Sequence, residues 1–234
     1  MRLNEDSYRK KVRAGWLGKC IGGNLGAIPE CLKKRSYFLK PEDFMPEKML
    51  ANDDLDLQLV WLQVLLDKGL SFTSDDLMEE FIKCYPANPN EYGYGKRNYR
   101  RGIKPPVSGT FANEFFMNSM GCPIRAEIWA MICPGRPEKG IELAYRDGCL
   151  DHGEESIYAE QYITALESLS FLSQDRLELI KKASEYIPET SRIYHVISDV
   201  SGAFEKGAEL EKVMDYLETE YGDVDLSLIH ISEP

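Results

Sequence analysis

The chain has 234 residues, a formal net charge of −11 and a hydrophobic fraction of 43%. This length and hydrophobic content are enough for a sizeable core, in one large domain or two small ones, which argues against intrinsic disorder. The acidic balance and the lack of a long basic run argue against nucleic acid as the main partner, since phosphate binding needs clustered Lys and Arg.

The N-terminal residues and the cysteines indicate the compartment. Charged residues begin at Arg2, so the chain does not start with the apolar region of a signal peptide. No apolar run approaches the length of a membrane span, and we expect no membrane contact. The six cysteines form no C-x-x-C pair, and none has a zinc-like spacing from a histidine. We therefore expect reduced thiols and a cytoplasmic protein.

Helical periodicity dominates the chain and no alternating strand pattern persists, which predicts a single all-α domain. The first helix is predicted over residues 7–25. Glycine stands at positions 15, 18, 22, 23 and 26, and each glycine costs roughly 1 kcal/mol of helix stability relative to alanine. So many glycines indicate the close approach of another helix or of a ligand, and both interpretations are open.

The second helix is predicted over residues 53–67. Leu55, Leu59, Leu62 and Leu66 form one face of it, and that face is broadened by Val60, Trp61 and Val64. A helix that is apolar most of the way round is expected at the centre of a domain.

A third helix is predicted over residues 75–84, with Ser74 as its N-cap. Residues 85–111 are rich in Pro, Gly, Tyr and Asn, which predicts a long loop, and such loops are usually functional. This segment holds a basic cluster at residues 96–101, which is either solvated or in contact with a phosphate-bearing ligand. The remaining helices are predicted over residues 137–148, 154–172, 175–186, 192–204 and 210–221.

Three carboxylates lie within four residues at the start of the second helix, in the run Asn52-Asp53-Asp54-Leu55-Asp56. A helix N-terminus offsets part of their repulsion through its free N–H groups and partial positive charge, with Asn52 as the N-cap. A divalent cation would offset the repulsion far more strongly. Both interpretations are open for the run taken alone.

Three further signals stand elsewhere in the chain. A glycine-rich segment at residues 22–27 leads to Pro29-Glu30, a second segment is Gly121-Cys122-Pro123-Ile124-Arg125, and a third is Asp151-His152-Gly153-Glu154-Glu155. The order and spacing of these signals and of the acidic run resemble those of the ADP-ribosylglycohydrolase family. The resemblance extends from about residue 13 to residue 221.

The resemblance implies a compact, orthogonal domain of helices that holds two Mg²⁺ ions at the base of a cleft. Two such ions would polarise a ribose diol and a water molecule together. The implied substrate is an ADP-ribosylated protein or small molecule. The implied reaction is hydrolysis of the glycosidic bond between ADP-ribose and its acceptor, through an oxocarbenium-like centre.

The resemblance also implies roles for individual residues. Asp53 and Asp54 correspond to the family's first metal-binding pair, and Asn52, where many members have threonine, is a possible third oxygen donor. Glu30 corresponds to a glutamate beside the metals and is the candidate acid/base or water-orienting residue.

Two more residues correspond to the family's substrate-binding positions. Gly121 would let the backbone approach the diphosphate, and His152 would help to close the ribose pocket. For His152 alone, a hydrogen bond at a helix start is the alternative. Glu154 and Glu155 are interpreted as partners of a helix dipole in its first turn.

The resemblance is incomplete near the C-terminus. Family members carry a second acidic motif, an Asp-x-Asp in a glycine-rich segment, which completes the metal site. Asp223-Val224-Asp225 has this spacing but follows a helix end, and we interpret it as a solvated helix exit. Residues 226–234 look like a translated sequencing adapter, so we expect a non-native tail after an incomplete family domain at residues 1–225, with its C-terminal part missing.

The sequence therefore predicts a Mg²⁺-dependent ADP-ribosyl hydrolase. Because the second metal site is expected to be incomplete, hydrolysis by this chain is expected to be weak or lost. A catalytically dead helical protein that binds ADP-ribose or a nucleotide is the alternative, and a plain helical interaction scaffold is a third hypothesis.

Overall fold

The computed structural model describes residues 3–27 and 52–222. Over these ranges the chain forms eleven α-helices, two short 3-10 helices and no strand, which confirms the all-α prediction. The 3-10 helices are Gly69–Ser71 and Pro123–Arg125. The α-helices are α1 (Glu5–Gly26), α2 (Asp53–Lys68), α3 (Ser74–Cys84), α4 (Asn90–Arg100), α5 (Val107–Thr110), α6 (Glu127–Ile132), α7 (Pro137–Gly148), α8 (Glu154–Ser170), α9 (Arg176–Ser184), α10 (Arg192–Glu205) and α11 (Leu210–Tyr221).

Capping side chains set several helix ends. The Asn4 side chain accepts a hydrogen bond from the backbone N–H of Ser7 at 2.8 Å and so begins α1. Thr73, rather than the predicted Ser74, caps α3, because Thr73 and Asp76 each accept a hydrogen bond from the other's backbone N–H. The bounds of α7 and α11 are those predicted.

The face of α2 that enters the core agrees with the prediction for Trp61 and Val64 but not for most of the leucines. Its buried side chains are Leu57, Gln58, Trp61 and Val64. Three of the four predicted core leucines are exposed instead, and we call them the leucine stripe: Leu59, Leu62 and Leu66. Trp61 accounts for the choice of face, since its large ring packs edge-on against Phe81 of α3 at a centroid distance of 5.5 Å.

The main core brings together side chains of α2, α3, α4, α6 and α7. Trp129 of α6 stacks on Phe72 with ring centroids 5.4 Å apart. Phe81 meets Tyr92 of α4 edge-on at 5.5 Å. The aromatic core therefore continues from α2 and α3 to the start of α4, where the candidate site lies.

Residues 85–111 are not the predicted long loop, because they contain α4 and α5. Lys96 of α4 is fully buried, and its Nζ donates hydrogen bonds to the backbone carbonyls of Tyr85 at 2.5 Å and Ala87 at 2.8 Å. The same ammonium group lies 4.0 Å from the centroid of the Phe81 ring. These tertiary contacts fold the segment onto α3, against a composition typical of loops. Lys96 is thus neither solvated nor free to bind a phosphate.

Two of the glycines in α1 allow close packing. A Cβ at Gly15 would lie 2.7 Å from the methyl carbon of Met131, and a Cβ at Gly23 would collide with the side-chain amide of Asn52. Lys19 fastens the same helix to α6, with its Nζ 2.6 Å from a carboxylate oxygen of Glu127. The interpretation as close packing is therefore supported at Gly15 and Gly23.

The described ranges also bear on the predictions about membrane-spanning helices and cysteines. Within residues 3–27 and 52–222, no helix has the length and apolar character needed to cross a membrane. The five cysteines in these ranges are all free thiols, which agrees with the prediction of reduced cysteines.

Candidate functional site

The acidic run begins α2. The Asn52 side chain accepts a hydrogen bond from the backbone N–H of Asp54 at 2.9 Å, so Asn52 acts as the N-cap. Gln58, one turn further on, donates to the backbone carbonyl of Asp54 at 2.9 Å and to the Glu127 carboxylate at 2.7 Å. The start of α2 is therefore held to α6 by a buried amide.

Asp53 stands in a negative environment. Burial raises the pKa of its carboxyl group, and the charges of Glu91 and Asp56 raise it further, while backbone N–H groups of the first turn partly oppose them. A positive charge placed beside Asp53 would relieve this repulsion.

Glu91 is the site residue that the sequence did not reveal. It lies in the first turn of α4 and is 6% exposed. Its Oε1 is 3.7 Å from Nε2 of His152, and its buried Oε2 has no hydrogen-bond partner within the described part of the chain. A buried carboxylate oxygen without a donor is costly, which makes this oxygen a candidate contact for a ligand. The signal was hidden because residue 91 fell in a predicted loop.

Gly121 lies directly against Glu91. A Cβ at position 121 would collide with Oε1 of Glu91 and would lie 2.8 Å from the Tyr92 ring. The Tyr92 hydroxyl donates to the carbonyl of Gly121 at 3.3 Å. The close neighbour that requires glycine here is thus a carboxylate, and the approach of a diphosphate to Gly121 stays a prediction.

His152 is fully buried between two carboxylates. Its Nδ1 is 2.6 Å from Oδ1 of Asp151, and its Nε2 faces the Ser119 hydroxyl at 3.1 Å as well as Glu91. Burial lowers the pKa of the imidazole, but Asp151 and Glu91 outweigh burial and the net direction is upward. His152 lies before α8, whose N-cap is Gly153, so it is not a capping residue.

The order carboxylate, imidazole, hydroxyl is also that of an activated serine nucleophile. Ser119 is only 4% exposed, however, and it shares Nε2 of His152 with Glu91. Because Asp151 and Glu91 outweigh burial and raise the pKa of the imidazole, Nε2 is poorly suited to take a proton from Ser119, which favours a hydroxyl that orients the histidine.

A buried arginine lies behind His152. Arg125 donates from two guanidinium nitrogens to Asp151, at 2.7 and 3.2 Å, and from Nε to Asp147 at 2.8 Å. Trp129 donates from Nε1 to the other oxygen of Asp147 at 2.9 Å. Burial raises the pKa of Asp151, but Arg125 and His152 outweigh it and lower the pKa to about 2. Asp151 is therefore ionised at any physiological pH.

The structure brings three of the predicted site residues around one carboxylate. Asp53 interacts electrostatically with Glu91, Gly121 packs against it, and His152 faces it. Asp54 follows Asp53 in the first turn of α2. The predicted catalytic residue Glu30 lies outside the described residues.

The donor chemistry at the start of α2 suits a hard cation. Asp53 and Asp54 offer oxygen ligands, which Mg²⁺ prefers, and Asp53 is destabilised by its negative neighbours. Among the residues described, no group of three or more His, Cys, Asp or Glu side chains is placed to hold a metal ion. These carboxylates therefore fit Mg²⁺ as part of a ligand set, and the described residues alone do not form the whole set.

A family model for ADP-ribosylglycohydrolases matches residues 4–228 of the chain. Comparison with curated proteins and with solved structures finds no significant match. The matched range includes all eleven α-helices described above and the residues gathered around Glu91. Because the match covers nearly the whole chain, the protein belongs to the ADP-ribosylglycohydrolase family.

Proposed function

We propose that the protein is a Mg²⁺-dependent hydrolase that cleaves the glycosidic bond between ADP-ribose and an acceptor, either a protein side chain or a small molecule. Family membership supports ADP-ribosyl hydrolysis in general. The observation that carries the proposal is the buried oxygen of Glu91, which has no hydrogen-bond partner among the described residues and is set among Asp53, Gly121 and His152.

Asp53 and Asp54 are the proposed ligands of Mg²⁺, with Asn52 contributing through its side-chain oxygen. Asn52 Oδ1 already accepts one hydrogen bond from Asp54, and its second lone pair can still bind a cation. When bound, Mg²⁺ supplies positive charge that polarises ribose hydroxyls and water.

Glu91 is proposed to accept a hydrogen bond from a ribose hydroxyl or from the attacking water, which would satisfy its free oxygen. His152 faces Glu91 at 3.7 Å and, when protonated, stabilises the negative charge of this carboxylate. The reaction adds OH from water to the anomeric carbon and returns a proton to the acceptor. A carboxylate next to the water assists that proton transfer, and Glu30, predicted from the family resemblance, is the second candidate for this role.

The test is hydrolysis of ADP-ribosylated arginine and serine peptides by the purified chain, measured as released ADP-ribose by chromatography. We expect weak but measurable turnover with Mg²⁺ and none after chelation. Asp53→Asn and Glu91→Gln should each lower turnover by about 100-fold, as expected for loss of a charge-stabilising or proton-transfer group. Asp56→Asn, an exposed carboxylate in the same turn as Asp53, is the matched control and should retain turnover.

Two results would contradict the proposal. Full activity of Glu91→Gln would show that this carboxylate only packs against Gly121. Calorimetric binding of ADP-ribose without any turnover would instead show a protein that binds ADP-ribose and does not hydrolyse it.

A further inference from the structure

We propose that Arg125 and Asp151 are positioning residues, which act on the reaction by holding the His152 ring against Glu91. This inference rests on the proposed function, in which Glu91 contacts the substrate. Arg125 and Asp151 are fully buried, and Asp151 contacts His152 directly, so both would act through His152.

Arg125 holds the Asp151 carboxylate through a pair of hydrogen bonds. Arg125 reaches Asp151 through two nitrogens, at 2.7 and 3.2 Å, and both side chains are fully buried. A bidentate pair fixes the plane of the carboxylate as well as its position. Asp147 takes the third donor of Arg125 at 2.8 Å, which prevents the guanidinium from rotating.

One carboxylate oxygen of Asp151 contacts both Arg125 and His152. Oδ1 accepts from Arg125 and also lies 2.6 Å from Nδ1 of His152. A proton on Nδ1 is therefore required, and the ring is turned so that Nε2 points at Ser119 and Glu91. The charge on Arg125 thus sets the direction in which His152 presents its other nitrogen.

The backbone of Asp151 is held as tightly as its side chain. Asn113 donates from Nδ2 to the Asp151 carbonyl at 2.9 Å. A Cβ at Gly95 would lie only 2.7 Å from the Cβ of Asp151. These contacts fix the position of Asp151, so the orientation of the His152 ring depends on Asp151.

Folding stability does not by itself explain the buried ion pair of Arg125 and Asp151. Buried ion pairs cost desolvation, and replacing them with apolar side chains is often neutral or stabilising. Arg125 lies beside the rings of Trp61, Phe81 and Tyr92, with its central carbon 5.5, 6.0 and 5.6 Å from their centroids, where an apolar side chain would also fit. The feature that an apolar replacement could not supply is the orientation of His152.

The decisive experiment is a double-mutant cycle on turnover of an ADP-ribosylated peptide by the full chain. Asp151→Asn should lower kcat by about 100-fold with little change in KM, as expected when a group is misplaced by a fraction of an ångström. In the His152→Asn background, the same change should cost less than about twofold, because the residue through which it acts is gone. An equal loss of kcat in both backgrounds would overturn the proposal.

Nuclear magnetic resonance gives a second readout that does not depend on substrate. The chain has three histidines, His152, His195 and His230, so the imidazole signals can be assigned with His152→Asn. The groups that face His152 are Asp151, Glu91, Ser119 and the Tyr92 ring. Asp151→Asn should lower the titration midpoint of His152 and weaken its Nδ1 proton signal, while the exposed His195 serves as the internal reference.

The two readouts separate the two proposals. If the wild-type chain shows no turnover, the proposed function fails, and the resonance data alone decide on the positioning role. An unchanged His152 signal in Asp151→Asn overturns the positioning role whether or not the chain is active. If Asp151→Asn does not fold, kcat and the His152 titration are measured on Arg125→Lys, which keeps the positive charge but removes the paired hydrogen bonds to Asp151. Glu160→Gln is the control for the loss of a buried carboxyl group that does not contact His152.

Discussion

Glu160 of α8 is a fully buried carboxyl group whose surroundings favour its protonated form. Burial raises the pKa of Glu160 well above its usual value, and the negative charge of Asp147 raises it further. Its Oε2 lies 2.6 Å from the thiol sulfur of Cys122. A protonated glutamic acid resembles glutamine in shape and charge, which makes the residue a sensitive test of this protonation state.

We therefore expect Glu160→Gln to change the free energy of unfolding by less than about 1 kcal/mol near pH 6, whereas Glu160→Ala should cost about 2–3 kcal/mol through the cavity and the lost partner. A raised pKa contributes stability at low pH that is lost as the pH rises towards the folded-state pKa. Glu160→Gln should remove this loss, and so become more stable relative to wild type as the pH rises. Urea denaturation at several pH values measures the free energy of unfolding of each variant. An equal loss for Glu160→Gln and Glu160→Ala would show that Glu160 is ionised.

At the scale of elements, Lys96 ties α4 to the segment that follows α3. Burial lowers the pKa of Lys96 to about 8, from an ordinary value of 10.5. Because the unfolded chain holds this proton up to pH 10.5 and the folded chain only up to about 8, the group makes folding more favourable as the pH rises between these values.

Lys96→Met should cost about 2 kcal/mol of unfolding free energy at pH 7, because the carbonyls of Tyr85 and Ala87 lose the hydrogen bonds of a charged donor. It should also abolish the gain in stability between pH 8 and 10.5. Thermal denaturation by circular dichroism measures both effects. Lys212→Met, at an exposed lysine, is the control, and a similar cost for both variants would rule out the structural role of Lys96.

Periodicity predicted the long helices because their sequences carry a helical repeat that survives in the fold. It missed α4, since the Gly, Asn and Tyr content of that helix is overruled by the tertiary contacts of Lys96 and Tyr92. It also centred the buried face of α2 on the leucines, whereas the large ring of Trp61, predicted only to broaden that face, turns the helix so that Leu59, Leu62 and Leu66 are exposed.

Sequence reasoning also missed tertiary contacts at the candidate functional site. Asp53, Asp54, Gly121 and His152 are marked by local motifs, so the family resemblance pointed to them. Glu91 carries no motif, and its significance depends on contacts with residues far away in the sequence.

For the whole molecule, the leucine stripe on α2 opposes the effect of net charge. Leu59, Leu62 and Leu66 are 56%, 39% and 72% exposed, and exposed apolar surface of this kind promotes association. The formal charge of −11 makes copies of the chain repel one another. Association should therefore strengthen with salt, which screens the repulsion and leaves the apolar contact.

We expect sedimentation to show concentration-dependent association that increases from low to high salt. Replacing Leu59 and Leu66 by Lys should weaken it at least tenfold, a change of about 1.4 kcal/mol in association free energy. Leu210→Lys, at an exposed leucine outside the stripe, should leave it unchanged. A monomer at every concentration and salt level would show that the stripe does not drive association.

The glycines around Asp151 and His152 also decide which sequence variants the chain can tolerate. Gly95 packs against the Asp151 side chain, Gly109 against the backbone of His152, and Gly121 against the Glu91 carboxylate, and none has room for a methyl group. In a library of all single substitutions, these three positions should therefore reject even alanine, whereas Gly18 and Gly22, which no described residue crowds, should accept it. The positions of Asp151, His152 and Glu91 are thus fixed by three residues without a side chain as well as by the contacts these groups make with one another.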